Sequence, residues 1–138
     1  IINADSMQVY KELKILTARQ VKENNNKIKH HLYGFQSVKN KFSTGQWLKL
    51  VKKKIKEIRN KNKIPILVGG TGLYFKTLTD GLVKIPKIPN KIRNKIRSKQ
   101  KKMGQKKFYL KLLKLDKFVK NKIVSTDIQR SLRAYEVI

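Results

Sequence analysis

Five apolar residues in a row, Ile64-Pro65-Ile66-Leu67-Val68, run straight into Gly69-Gly70-Thr71-Gly72, and helical text follows from Leu73 to Thr79, closed by Gly81. A run this short has the length of a strand. A strand delivered through glycines into a helix suits a layered, parallel α/β architecture. The start of the chain has the same character: Ile1-Ile2-Asn3-Ala4-Asp5-Ser6 reads as the end of a buried strand entering a polar turn. Residues 20–31 are polar and loop-like. Ser43 then caps a helical pattern with Trp47, Val51, Ile55 and Ile58 on one face, and Asn60-Lys61-Asn62 is its exit. The first 82 residues are therefore predicted to be α/β.

From Ile85 the texture changes. Pro86 and Pro89 break the chain, and two Lys-rich amphipathic stretches follow, split near Gly104. Ile92, Ile96 and Met103 form the apolar side of the first, and Phe108, Leu112 and Leu115 that of the second. Ser125 or Thr126 is expected to cap a last helix over 127–138. The boundary falls near residue 84, with a partial α/β core over 1–83 and a helical region over 84–138.

The 138 residues carry 35 Lys and Arg against 8 Asp and Glu, a formal charge of +27. Only six of the cations are Arg. An AT-rich coding sequence would itself enrich Lys, Ile and Asn at permissive surface positions. Whatever its origin, such a charge attracts polyanions, and salt-sensitive binding to nucleic acid is expected. With no Cys, disulfides, thiolate metal sites and Cys nucleophiles are excluded. No apolar run approaches the length of a membrane span. The chain opens without Met or a signal-peptide pattern and ends on Ala-Tyr-Glu-Val-Ile with no helix stop, so it reads as an internal segment of a longer protein.

Three groups of residues carry possible chemistry. Asp5-Ser6-Met7-Gln8 follows a strand, where open α/β sheets place ligands. Asp5 could act as a base, and Ser6 and Gln8 could read the edge of a planar ring, since a Gln amide can bond adenine bidentately. The tetrapeptide is equally a turn in which the Asp5 carboxylate accepts bonds from backbone amides. Gly69-Gly70-Thr71-Gly72 lets a ligand approach backbone at a helix start, or is simply a tight turn; it lacks the Gly-Lys-Ser/Thr of a P-loop. Gln129-Arg130-Ser131-Leu132-Arg133 puts two Arg on one helix face, suited to phosphates or left solvated. His30 and His31 are adjacent on a polar loop and are assigned to packing and capping.

Together these segments resemble the tRNA dimethylallyltransferases, also called tRNA isopentenyltransferases. The resemblance rests on ADSMQVYK at 4–11, TAR at 17–19, HHL at 30–32, ILVGGTGLYFKTLTDGL at 66–82, IRNKI at 92–96 and DIQRSLRAYEV at 127–137, in family order. It implies a P-loop NTPase-like parallel sheet core, here partial, with an inserted, mainly α-helical domain. It also implies a cytoplasmic enzyme that moves a dimethylallyl group from dimethylallyl diphosphate to the exocyclic N6 amine of the adenine beside the anticodon of tRNA, releasing diphosphate. By the same resemblance Asp5 holds the amine and takes its proton. Contacts to the tRNA anticodon stem-loop fall on Asp5, Ser6, Met7, Gln8, Thr71, Arg93, Gln129, Arg130, Ser131, Leu132 and Arg133.

The resemblance further implies Mg²⁺ and a diphosphate cradle on a P-loop ahead of the DSMQ strand. Both that P-loop and a C-terminal part lie outside these residues, so the isolated segment is expected to be inactive. Two positions depart from the family's usual text. Gln20 follows TAR where Pro is usual, and Tyr33-Gly34-Phe35 follows HHL where an acidic residue is usual. Two other readings keep the same residues: a prenyltransferase acting on free adenine nucleotides, and a non-catalytic basic RNA-binding module. A P-loop kinase relative shares the strand and helix order but gives no reason for DSMQ together with QRSLR.

Overall fold

The computed structural model describes residues 1–19, 28–83, 85 and 88–138, and the chain divides into two compact units, Ile1–Val83 and Lys84–Ile138. Most of the polar stretch expected as a loop over 20–31, and Pro86, lie outside the described residues.

In the first unit β1 (Ile2–Asn3) pairs in parallel with β2 (Leu67–Val68), Ile2 opposite Leu67 and Asn3 opposite Val68. The amides of Ile2 and Ala4 donate to the carbonyls of Ile66 and Val68 at 2.8 and 2.7 Å. On its other edge β1 bonds to His31, whose amide donates to Ile1 and whose carbonyl accepts from Asn3, both at 2.9 Å. The apolar run 64–68 thus contributes a shorter strand than its length suggests. Pro65 has no N–H to give to a ladder, and Ile64 is 86% exposed.

The first unit's long helix is α1 (Thr44–Arg59), which begins in a capping box: Ser43 Oγ accepts from the Gln46 amide at 3.3 Å, and Gln46 Oε1 accepts from the Ser43 amide at 2.8 Å. It ends where Asn62 takes φ 53°. Its apolar face buries Trp47, Leu48 and Val51 against Ile2, Ala4 and Tyr74, with Ile55 and Ile58 packed at the margin. The Trp47 and Tyr74 rings stack at 4.0 Å, 13° from parallel. α2 (Gly72–Thr79) supplies Tyr74 and is closed by Gly81 at φ 87°, a left-handed position that suits glycine.

The second unit is helical. α3 (Asn90–Leu115) is two helical runs joined at Gly104, whose φ 75° and ψ 160° only glycine adopts readily. A short 3-10 turn (Lys117–Asn121) leads to α4 (Ile128–Val137). Phe108, Leu132 and Ile96 form one core cluster, and Tyr109, Leu112 and Val119 another. Two expectations are corrected here. The cap of α4 is Asp127, whose carboxylate accepts from the Arg130 amide at 2.9 Å, and neither Ser125 nor Thr126. Ile92 and Leu115 are exposed rather than core: they share a face with Ile96 and Leu112, but they lie at the two ends of α3.

Candidate functional site

The parallel pairing brings the exits of β1 and β2 side by side, and the loops that follow them are bonded together. Thr71 donates its amide to the Ala4 carbonyl at 3.1 Å. Its hydroxyl accepts from the Ser6 amide at 2.9 Å and donates to Ser6 Oγ at 3.2 Å. It makes no side-chain cap on α2, so its bonding capacity goes across to the other loop. Gly69 makes the approach possible. A Cβ there would run into the backbone of Ala4 and Asp5, whereas a Cβ at Gly70 or Gly72 meets nothing within 4 Å.

Asn3 fixes the turn from beneath. Its side chain accepts from the Asp5 amide at 2.9 Å and donates to the carbonyls of Asp5 and Leu32 at 2.9 and 3.0 Å. Its own carbonyl accepts from Trp47 Nε1 at 3.0 Å, which ties the turn to the core. Asp5 Oδ1 then accepts from the amides of Met7 and Gln8 at 2.7 and 3.2 Å. Oδ2 has no hydrogen bond among the described residues. The carboxylate is thus both a turn-former and, through its second oxygen, an open acceptor.

The neighbours of Asp5 are ordered as well. Gln8 Nε2 donates to the Thr17 carbonyl at 3.0 Å, leaving Oε1 and one N–H of a fixed amide. Arg19 of the TAR segment donates to the carbonyls of Tyr10 and Lys11 at 2.5 and 3.1 Å. Its guanidinium also packs on Gly34, where φ is +53°. Met7 is half exposed. Burial, then the Asp5 charge, pushes the Tyr33 hydroxyl up from its ordinary value. Tyr74 is pushed up to about 12, by burial first and then by the charges of Tyr10 and Asp5. Both phenols therefore stay neutral beside the carboxylate at physiological pH.

These residues do not fit a magnesium ion. Asp5 is the cluster's carboxylate, with one oxygen already bonded twice. Among the described residues no three His, Cys, Asp or Glu side chains are grouped to hold a metal. Where the family usually has an acidic residue after HHL, this chain offers only the phenol of Tyr33.

The second unit holds the arginines. Arg133 Nη1 and Arg93 Nε approach the same oxygen of Glu136, Oε2, at 3.2 and 3.6 Å, while Arg130 Nε lies 3.5 Å from the Asp127 carboxylate and is well exposed. Gln129 is exposed on the same helix. Ser131 and Leu132, by contrast, are buried: Ser131 Oγ accepts from Gln105 Nε2 at 3.1 Å, and Leu132 packs with Ile96 and Phe108. They hold the helix rather than present side chains to solvent.

A model of the IPP transferase family matches residues 8–138. The chain belongs to this family. It is 67% identical over 137 residues to the tRNA dimethylallyltransferase of Pelagibacter ubique, covering 99% of this chain and 44% of that protein. The corresponding enzyme of Rickettsia massiliae is 47% identical, with 99% and 38% covered. The chain thus spans less than half the length of these curated relatives. Among solved structures, a eukaryotic dimethylallyltransferase acting on tRNA matches with TM-score 0.76 and 29% identity over 96% of this chain and 33% of its own. The tRNA isopentenylpyrophosphate transferase of Bacillus halodurans matches at TM-score 0.57 and 29% identity, over 99% and 45%.

Within this IPP transferase chain, Asn3, Trp47, Arg19 and Glu136 were not singled out as site residues by sequence. Asn3 and Trp47 looked like strand and core. Glu136 stood three residues after Arg133, a local pair that gave no sign of Arg93. The roles of Asn3, Trp47 and Glu136 come from contacts spanning 29, 44 and 43 residues, from Asn3 to Leu32, Trp47 to Asn3 and Glu136 to Arg93, and that of Arg19 from bonds to Tyr10 and Lys11.

Proposed function

We propose that the protein carrying this chain transfers a dimethylallyl group from dimethylallyl diphosphate to the exocyclic N6 amine of the adenine next to the anticodon in tRNA. Diphosphate is the product. The observation that carries the reading is the half-engaged Asp5 carboxylate on the bonded loops 4–8 and 69–72. An adenine amine is a poor nucleophile because its lone pair is delocalised into the ring. A carboxylate oxygen placed on its N–H localises that pair as the N–C bond to the prenyl carbon forms and the C–O bond to diphosphate breaks. The amine proton passes to Asp5 Oδ2. Such base catalysis contributes roughly 10²–10⁴-fold.

Ser6, Met7, Gln8 and Thr71 line the place the base enters, with Met7 the apolar member. Flipping an adenine out of the anticodon loop costs a few kcal/mol. Contacts from Arg93, Gln129, Arg130 and Arg133 to the stem-loop offset it, on a helix kept in place by Ser131 and Leu132. The two-stranded sheet, with Val68 exposed on β2 and Ile64 and Ile66 exposed just before it, supports a place within a larger P-loop NTPase-like sheet. A diphosphate cradle belongs to that larger core, as would any Mg²⁺.

Asp5→Asn in the full-length protein tests the reading. The amide still accepts through one oxygen and keeps the turn. Turnover should fall by about 10²-fold or more while tRNA affinity stays within a few fold. Unchanged turnover would favour a non-catalytic RNA-binding module. Prenylation of free AMP with only weak inhibition by added tRNA would favour the free-nucleotide enzyme.

A further inference from the structure

Residues 84–138 contain only three acidic residues, Asp116, Asp127 and Glu136, among many cations. Asp116 caps the 3-10 turn by accepting from the Phe118 amide, and Asp127 caps α4. Glu136 caps nothing. Its side chain is 5% exposed, and its Oε2 faces Arg133 at 3.2 Å and Arg93 at 3.6 Å. A carboxylate is withdrawn from water at considerable cost unless cations replace its hydration, and here two guanidinium groups do so.

The geometry on the arginine side is the more informative half. Arg93 Nε is buried and too far from Glu136 for a hydrogen bond, so the attraction is ionic and the N–H has no hydrogen-bond partner among the described residues. The outer nitrogens of Arg93 make no hydrogen bond among the described residues, and 35% of its side chain is exposed. Arg133 keeps 45% of its side chain exposed. One carboxylate therefore anchors the inner sides of two guanidinium groups from α3 and α4, leaving outward donors and one surplus positive charge. That is the arrangement a phosphodiester accepts through paired N–H bonds.

We infer that Glu136 is a positioning residue for RNA binding, holding Arg93 and Arg133 together for backbone phosphate. The inference rests on the proposal that this helical unit contacts tRNA through its arginines. Two arginines left free would repel each other and sample many rotamers; anchored, they meet a phosphate with less freedom to lose.

Glu136→Gln separates positioning from simple electrostatics because the two predict opposite signs. Loss of a negative charge beside a phosphate site should tighten binding to any polyanion. Loss of the anchor should weaken tRNA binding about 3- to 10-fold despite the extra net positive charge, with heparin binding unchanged or tighter. Binding is read by fluorescence anisotropy with a tRNA transcript and with heparin, using the full-length protein at fixed salt. If E136Q leaves tRNA affinity unchanged or raises it, the positioning role is overturned. Arg133→Ala serves as the parallel variant: it should weaken tRNA binding and reduce the salt slope by about one unit. An unaltered R133A would defeat the arginine surface itself, which is a different failure. Should E136Q not fold by circular dichroism, Glu136→Asp retains the charge at shorter reach; weaker tRNA binding by that variant supports the role, and wild-type binding overturns it.

Discussion

Thr71 and Asp5 each do two things with few atoms. The Thr71 hydroxyl accepts the Ser6 amide and donates to Ser6 Oγ, so both its bonding directions are used across the loop pair. Thr71→Val keeps the shape and the β-branch but leaves the Ser6 N–H unpaired, a cost of about 1–3 kcal/mol if water cannot reach it. Turnover in the full-length protein should drop by more than this loss of stability explains. Matching losses in activity and in urea midpoint would make Thr71 a structural tie only. Sequence offered two readings of Asp5, a base or a turn-former. The structure allows both, because the two carboxylate oxygens are in different surroundings.

Among the elements, the glycine-rich turn after β2 is the part whose meaning changed most. Glycines there suggested room for a ligand. Gly69 instead makes room for the chain itself, at the backbone of Ala4 and Asp5, while Gly70 and Gly72 stand in open space. Gly69→Ala should therefore force the two loops apart and destabilise the first unit by about 1–3 kcal/mol, as overpacking does. Gly70→Ala should shift the urea midpoint little. Equal effects would mean that the loops are not held in contact in solution. Local signals read well at this scale. The Ser43 cap, the Gly81 stop and the Gly104 break each depend on residues within a few positions, which a sequence displays directly. The cap of α4 did not read well, because Ser125, Thr126 and Asp127 are consecutive and all able to cap. Only the path of the chain selects Asp127.

The stability of the molecule as a whole should carry the signature of Tyr74. Its hydroxyl is held near a pKa of about 12 by burial, then by Tyr10 and Asp5, against about 10 in an unfolded chain. The folded form binds that proton more tightly, so the contribution is complete below pH 10 and is lost as pH rises from 10 through 12. Its size is on the order of 2 kcal/mol. Circular dichroism should show the chain weakening in that window, and Tyr74→Phe should flatten the profile; an identical profile would assign the effect to another group. Among the described residues no helix is long and apolar enough to cross a membrane. What the sequence determined alone was local or compositional: the α/β then helical order, the caps and breaks, the polyanion-seeking charge, and the motif text that resembles the IPP transferases. What only the tertiary structure decided was partnership: Asn3 on Leu32 and Trp47, Thr71 on Ser6, Gly69 against Ala4, and Glu136 on Arg93. Each joins residues far apart in the chain, and the energy of such a contact depends on a distance that no stretch of sequence contains.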